Sequence, residues 1–373
     1  LSLEDYVVFV KEREGKLRSC YADTIQLESD ELVEIVMVDA AFVVLLLVKI
    51  AEDEEQECCR IFNRPHYIMN IVGDMFLLEN QLPFFILEDL FDKIEIEIEI
   101  NSSSQEEADE GGKGQEDEEE TREGGGGEGK GKGDFIFMEP VCRFVNSRQD
   151  IGAKGYDPKM IKNRKIEHFL DCLCVCHLSS KKHSRVKEER EELQIPSLML
   201  TATKLHQAGV RFAEHTSTHL LDIKFEDGML SIPHFSVGDY TETFYRNLLA
   251  FEQCHYLRDS PFTAYFHFMD QLINTPEDIE LLVECGIINS TASDRLRAAN
   301  IFNGLGPGLL SPGESHYGHR REQLLTYYKV PWHKWKAALR QNYFNTPWAG
   351  ISVIAAVILL VLTVVQTVFS VIS

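Results

Sequence analysis

Apolar positions recur at threes and fours through residues 2–50, so the chain opens as helix. Within it, AAFVVLLLVKI (40–50) is too short to span a bilayer and continues the pattern of LVEIVMVDAAFVVLLL as a core helix. A polar gap, AEDEEQECCR, leads to a second helical stretch that contains LLENQLPFFILEDLF (77–91). Pro83 cannot continue a helix begun before it, so the pattern predicts a break at Asn80–Leu82 with Pro83 opening the next helix. The backbone groups freed there need partners, which Glu79, Asn80 and Gln81 can supply while Phe84 and Phe85 add to the core. A structural corner therefore accounts for these residue types. A catalytic reading would need a partner base that the sequence does not offer.

Beyond this corner the period changes. IEIEIEI (94–100) alternates as an amphipathic strand would, then runs into a tract of Glu, Gly and Ser. Residues 101–134 hold ten glycines and no hydrophobic side chain except Ala108, too little to offset the entropy of ordering, so a disordered acidic loop is expected. Helical periodicity returns in IEHFLDCLCVCHLSS, followed by the charged run KKHSRVKEEREE. Two short alternating runs around Asp227–Gly228, in LDIKFEDGMLSIP, predict a β-hairpin. Asp239 and Glu242 are spaced as a capping box for the helix of TETFYRNLLAFEQC. Thr275 as cap, Pro276 at the first position, Glu277 and Asp278 against the dipole, and Gly286 as terminator delimit another helix. The expected fold class is mainly α, with a small hairpin. Residues 1–91 and 135–345 form two parts of one helical domain around the 92–134 insertion, and 346–373 form a membrane anchor.

The anchor rests on the longest apolar run. No charged side chain follows Arg340, and Trp348–Ile372 would reach about 37 Å as a helix, against a hydrocarbon core of ~30 Å. Tyr343, Phe344 and Trp348 stand where an interfacial aromatic belt belongs. Lys329, Lys334, Lys336 and Arg340 precede the run and none follows, so the large domain is expected on the cytosolic side of a plasma or internal membrane. Glycosylation triplets at Asn101 and Asn289 pull the other way.

Charge and chemistry narrow the function. The formal charge is −23, of which residues 92–134 supply −11 from sixteen acidic and five basic side chains. No basic stripe interleaved with aromatics is present, which argues against nucleic acid as a partner. Nine cysteines, an odd number in a long chain, read as reduced thiols rather than a disulfide framework. GGGGEGK (124–130) is followed by Gly131 instead of Ser or Thr and lacks a flanking strand and helix, so it is not a phosphate loop. Cys172, Cys174, Cys176 and His177 would splay around a helix rather than converge on zinc. His215 and His219 have a zincin spacing without its glutamate. Catalytic, cofactor, metal and small-molecule sites are thus not identified, and the partner is expected to be another protein.

The ENQLPFF corner, LVEIVMVDAAFVV, TKLHQAGVRF, LLDIKFEDGMLSIP, LINTPEDIELLVECGII and the WHKWKAALRQNYFNTPWAG segment occur in the order found in a large land-plant family. On these motifs the chain resembles the family known as domain of unknown function 247. The resemblance implies a single C-terminal membrane helix and an N-terminal block that this chain lacks, which makes it an N-terminally truncated member. It carries over no catalytic residues. Its association with self-incompatibility in some grasses implies recognition as a role for the class. The expected function is accordingly a membrane-anchored module for protein interaction or recognition. The competing reading is a membrane-associated enzyme whose site distant residues assemble.

Overall fold

The computed structural model describes residues 2–52, 65–94, 137–147, 165–177, 200–217, 219–256, 260–290, 295–306, 308–309, 316–333, 335 and 347–372. The polar gap from 53 onward, nearly all of the alternating 94–100 run, the acidic loop, GGGGEGK, Asn101 and the charged run at 181–192 lie outside them. The chain divides into two compact units, Leu1–Gln149 with Ala153–Lys181, and Asp150–Gly152 with Lys182–Ser373.

The first unit is helical. Helix α1 (Leu3–Arg18) begins at a capping box, in which the Ser2 hydroxyl accepts from the Asp5 N–H and the Asp5 carboxylate accepts from the Ser2 N–H at 2.7 Å. Arg18 closes the turn that follows by donating to the carbonyls of Ile25 (2.9 Å) and Leu27 (2.8 Å). This turn divides the long helical stretch expected over 2–50, because α2 starts only at Ser29 and runs to Glu52. Helix α3 (Pro65–Met75) leads through a 3-10 turn at Leu78–Asn80 to α4 (84–94). Helices α5 (Met138–Ser147) and α6 (Phe169–His177) complete the unit. Val36, Ala40, Val44 and Leu47 of α2 are buried, as are Ile86, Leu87 and Leu90 of α4. Phe137 stands between Phe84 (5.4 Å) and Phe91 (5.2 Å).

The second unit holds the hairpin. Strands β2 (Lys224–Glu226) and β3 (Met229–Pro233) pair antiparallel, with Glu226 opposite Met229, so Asp227 and Gly228 are a two-residue loop. Both have positive φ, 49° and 73°, as a type I′ turn requires. The structure adds pairings that periodicity did not show. Strand β1 (Arg211–His215), after helix α7 (Ala202–Gln207), lies parallel to β3, and β4 (Phe235–Ser236) lies parallel to β5 (Ile288–Asn289). Helices α8 (Thr241–His255), α9 (Pro261–Leu272), α10 (Pro276–Glu284), α11 (Arg295–Leu305) and α12 (Gly318–Lys329) enclose a core where the Phe235 ring meets Tyr245 at 5.4 Å and Phe302 at 5.1 Å.

Two expectations are corrected. The Asp239–Glu242 capping box does not form, because Asp239 is drawn to Arg297 (2.9 Å) and Glu242 to Arg246 (2.7 Å). The Gly238 N–H instead donates to the Thr241 hydroxyl at 2.8 Å. The second correction concerns the membrane anchor in the expected fold class. Residues Pro347–Ile372 do form a helix, α13. Among the described residues, however, no helix is long and apolar enough to cross a membrane.

Candidate protein-contact surface

The ENQLPFF corner was the leading sequence candidate, and its geometry is that of a brace. Gln81 joins three segments of the first unit. Its amide nitrogen donates to the carbonyl of Met75 (2.8 Å), a group left open where α3 ends, and to that of Leu77 (2.7 Å), which also accepts from the Asn80 N–H (3.1 Å). Its amide oxygen accepts from the Leu170 N–H at the start of α6 (2.9 Å), and its own carbonyl accepts from the Tyr21 hydroxyl (3.1 Å). Pro83 forms an antiparallel bridge with His168, and the Phe84 N–H donates to the Glu167 carbonyl at 2.8 Å. Phe84 is buried, whereas Phe85 is half-exposed and carries the Lys16 ammonium 3.5 Å above its ring. Asn80, exposed, makes a single bond to the Asp74 carbonyl (3.1 Å), and Glu79 is also exposed. The three polar residues therefore differ: Gln81 ties the corner together, and its neighbours sit at the rim.

The metal and catalytic candidates stay apart. Cys172, Cys174 and Cys176 are buried in α6, and Cys176 lies within hydrogen-bonding reach of Cys142 and Cys172. A hydrogen bond with Cys142 favours the Cys176 thiolate, but the Cys172 thiol and burial outweigh it and push the Cys176 thiol well above its ordinary range. Such thiols pack as small hydrophobes rather than nucleophiles. His215 ends β1 and lies 3.2 Å from Asp222, and among the described residues no group of His, Cys, Asp or Glu is arranged to hold a metal ion. In the second unit His267 and Asp270 are half-buried on α9. Burial, then the Arg321 charge, lowers the His267 pKa, and burial raises that of Asp270. The other strongly placed carboxylates are structural. Glu252 is buried beneath the α9 N-terminus and accepts from the N–H groups of Phe262 (2.9 Å) and Thr263 (2.7 Å). A depression of about 160 Å³ lined by Arg18 and Tyr21–Ile25 is smaller than usual small-molecule sites, and the Arg18 guanidinium is spent on the turn.

What the first unit does present is an apolar stripe on α2. This helix buries Val33, Val36, Ala40, Val44 and Leu47 on one side. On the other, Ile35 is 43% exposed, Val38 56%, Phe42 37% and Leu45 49%. The spacing of three, four and three keeps these side chains on one line down the helix. Glu31, Glu34 and Asp39 lie exposed beside them. Four large apolar groups in line go beyond the scattered exposure usual at a surface, which makes this face the candidate contact site. Sequence reading assigned α2 to the core without separating its faces. The signal was available: apolar residues fill both the 33/36/40/44/47 and the 35/38/42/45 lines, more than one buried face needs.

The UPF0481 protein At3g47200 of Arabidopsis thaliana is similar at 23% identity over 385 residues, covering 98% of this chain and 73% of that protein. The putative UPF0481 protein At3g02645 of the same plant is 30% identical over 178 residues, covering 47% of this chain and 33% of the relative. No solved structure matches. A family model described as DUF247, plant protein of unknown function, matches residues 1–362. With that match running through both compact units, the chain belongs to the plant DUF247 family.

Proposed function

We propose that this chain is a non-catalytic protein-contact module, with a recognition role, that binds through the outer face of α2. The observation that carries this reading is the stripe of Ile35, Val38, Phe42 and Leu45, left in water on a helix whose opposite face already builds the core. Leaving these side chains in water forgoes ~25 cal/mol for each Å² of apolar surface, a loss that a partner would recover. Small-molecule binding has less support, since the depression at Arg18 and Tyr21–Ile25 is small.

A photo-reactive phenylalanine analogue placed at Val38, with an exposed control at Lys204, tests the reading in plant cells. Discrete protein adducts from position 38 and none from position 204 are expected. Identical patterns from the two positions, or no adduct from 38, would sink it.

A further inference from the structure

We infer that the α2 stripe pairs with the same stripe of a second copy, antiparallel, about an axis at Ala40. This rests on the protein-contact reading above and names the occupant. The register of the stripe is self-complementary. Ile35 and Leu45 are equidistant from position 40, and so are Val38 and Phe42. Extending the three–four spacing one step outward reaches Glu31 at one end and Lys49 at the other, again equidistant. Two antiparallel α2 helices therefore set Ile35 against Leu45, Val38 against Phe42, and Glu31 against Lys49, each layer occurring twice. Such self-complementarity is what a two-fold interface demands of a surface patch. The 3–4 repeat is the spacing that lets two helices keep one seam in contact. Lys49 is the only basic residue of α2, and it falls at the position where the second copy presents a carboxylate. Ala40 faces the core of its own unit, so the axis crosses the outer surface between Asp39 and Ala41. The two Asp39 carboxylates then approach one another, a repulsion at the rim that limits the strength of pairing.

The seam is short, since Ile35 to Leu45 spans about 15 Å of helix. One such contact falls below the ~1,200 Å² of stable complexes, so a weak, concentration-dependent dimer is expected.

The experiment is sedimentation velocity on the full chain across a concentration series, with thermal melts as a folding control. E31K and K49E are each expected to weaken dimerisation about three- to tenfold, and the double exchange E31K/K49E to restore it, because the pair is rebuilt with its signs reversed. D39N is expected to strengthen it, and V38D to abolish it with the melting temperature retained. Additive weakening in the double variant, or a V38D distribution equal to wild type, would overturn the inference. Should the chain stay monomeric while the Val38 photo-adducts contain another protein, the pairing fails and the contact reading stands. Absence of both dimer and adducts would remove both.

Discussion

Gln81 and Asp278 show how one polar side chain can hold several backbone ends at once. Replacing Gln81 with Leu removes the Gln81 bond to the Met75 carbonyl and to the Leu170 N–H and leaves the Leu77 carbonyl with the Asn80 N–H alone, and about 1–3 kcal/mol of stability should be lost. Asn80→Leu should cost less than about 1 kcal/mol, since its one bond is at the exposed rim. Thermal unfolding followed by circular dichroism separates the two, and equal losses would contradict the brace. The motif was legible as a corner, but three adjacent polar residues look alike in sequence. Which of them turns inward depends on where the α6 N-terminus arrives from 89 residues away. Asp278 is buried, accepting from the Thr203 N–H (2.8 Å) and hydroxyl (2.7 Å) and from the N–H groups of Asn274 and Thr275 (both 3.1 Å). Burial alone would raise its pKa, but these bonds outweigh it and hold the carboxyl below the usual range. Its stabilisation is complete above the unfolded carboxyl pKa of about 3.9 and is lost as pH falls through the lower folded value. Asp278→Asn should therefore destabilise at neutral pH and flatten the acid limb of urea-midpoint measurements. An unchanged acid limb would show that the bonds do not favour the charged form.

Helix α10 and the β2–β3 hairpin were readable in advance because their determinants are local. Thr275, Pro276 and Asp278 start α10, and Gly286, with φ of 75°, follows its end. The hairpin is set by Asp227–Gly228, and Gly228 is held by a second constraint. A Cβ built there would lie 2.6 Å from the Tyr327 hydroxyl oxygen and 2.8 Å from its ring carbons. Gly228→Ala should thus cost about 1–2 kcal/mol in backbone strain and also displace Tyr327, which donates to the Gly209 carbonyl at 3.3 Å. Combining it with Tyr327→Ala should recover the steric share of that loss in thermal melts; strictly additive losses would place the whole cost in the backbone. Helix α8 was misread at its start for the opposite reason, since Arg297, 58 residues distant, takes Asp239. Strands β1, β4 and β5 were missed because two to five residues carry too little periodicity.

At the scale of the whole molecule, the net charge of −23 stands beside single buried groups whose titration is coupled to folding. Burial lowers the His267 pKa, with the Arg321 charge adding to it, so the unfolded chain binds this proton more readily than the folded one. Stability is then full above the ordinary histidine pKa of about 6.5 and is lost as pH falls below it. The wild-type urea midpoint should drop between pH 7 and 5 more than that of His267→Asn; parallel profiles would dismiss the group. Family membership was also legible, since motifs from both compact units occur in order along the chain. The terminal apolar run was legible as a helix, whereas no helix among the described residues is long and apolar enough to cross a membrane. Helical class, the hairpin turn and the α10 boundaries followed from sequence alone, since neighbours within a few residues set them through sterics, capping and turn geometry. Tertiary structure decided the inward turn of Gln81, the burial of Asp278 and the two faces of α2. Those depend on which distant segment arrives to accept a hydrogen bond or cover an apolar side chain, and a linear pattern does not record that.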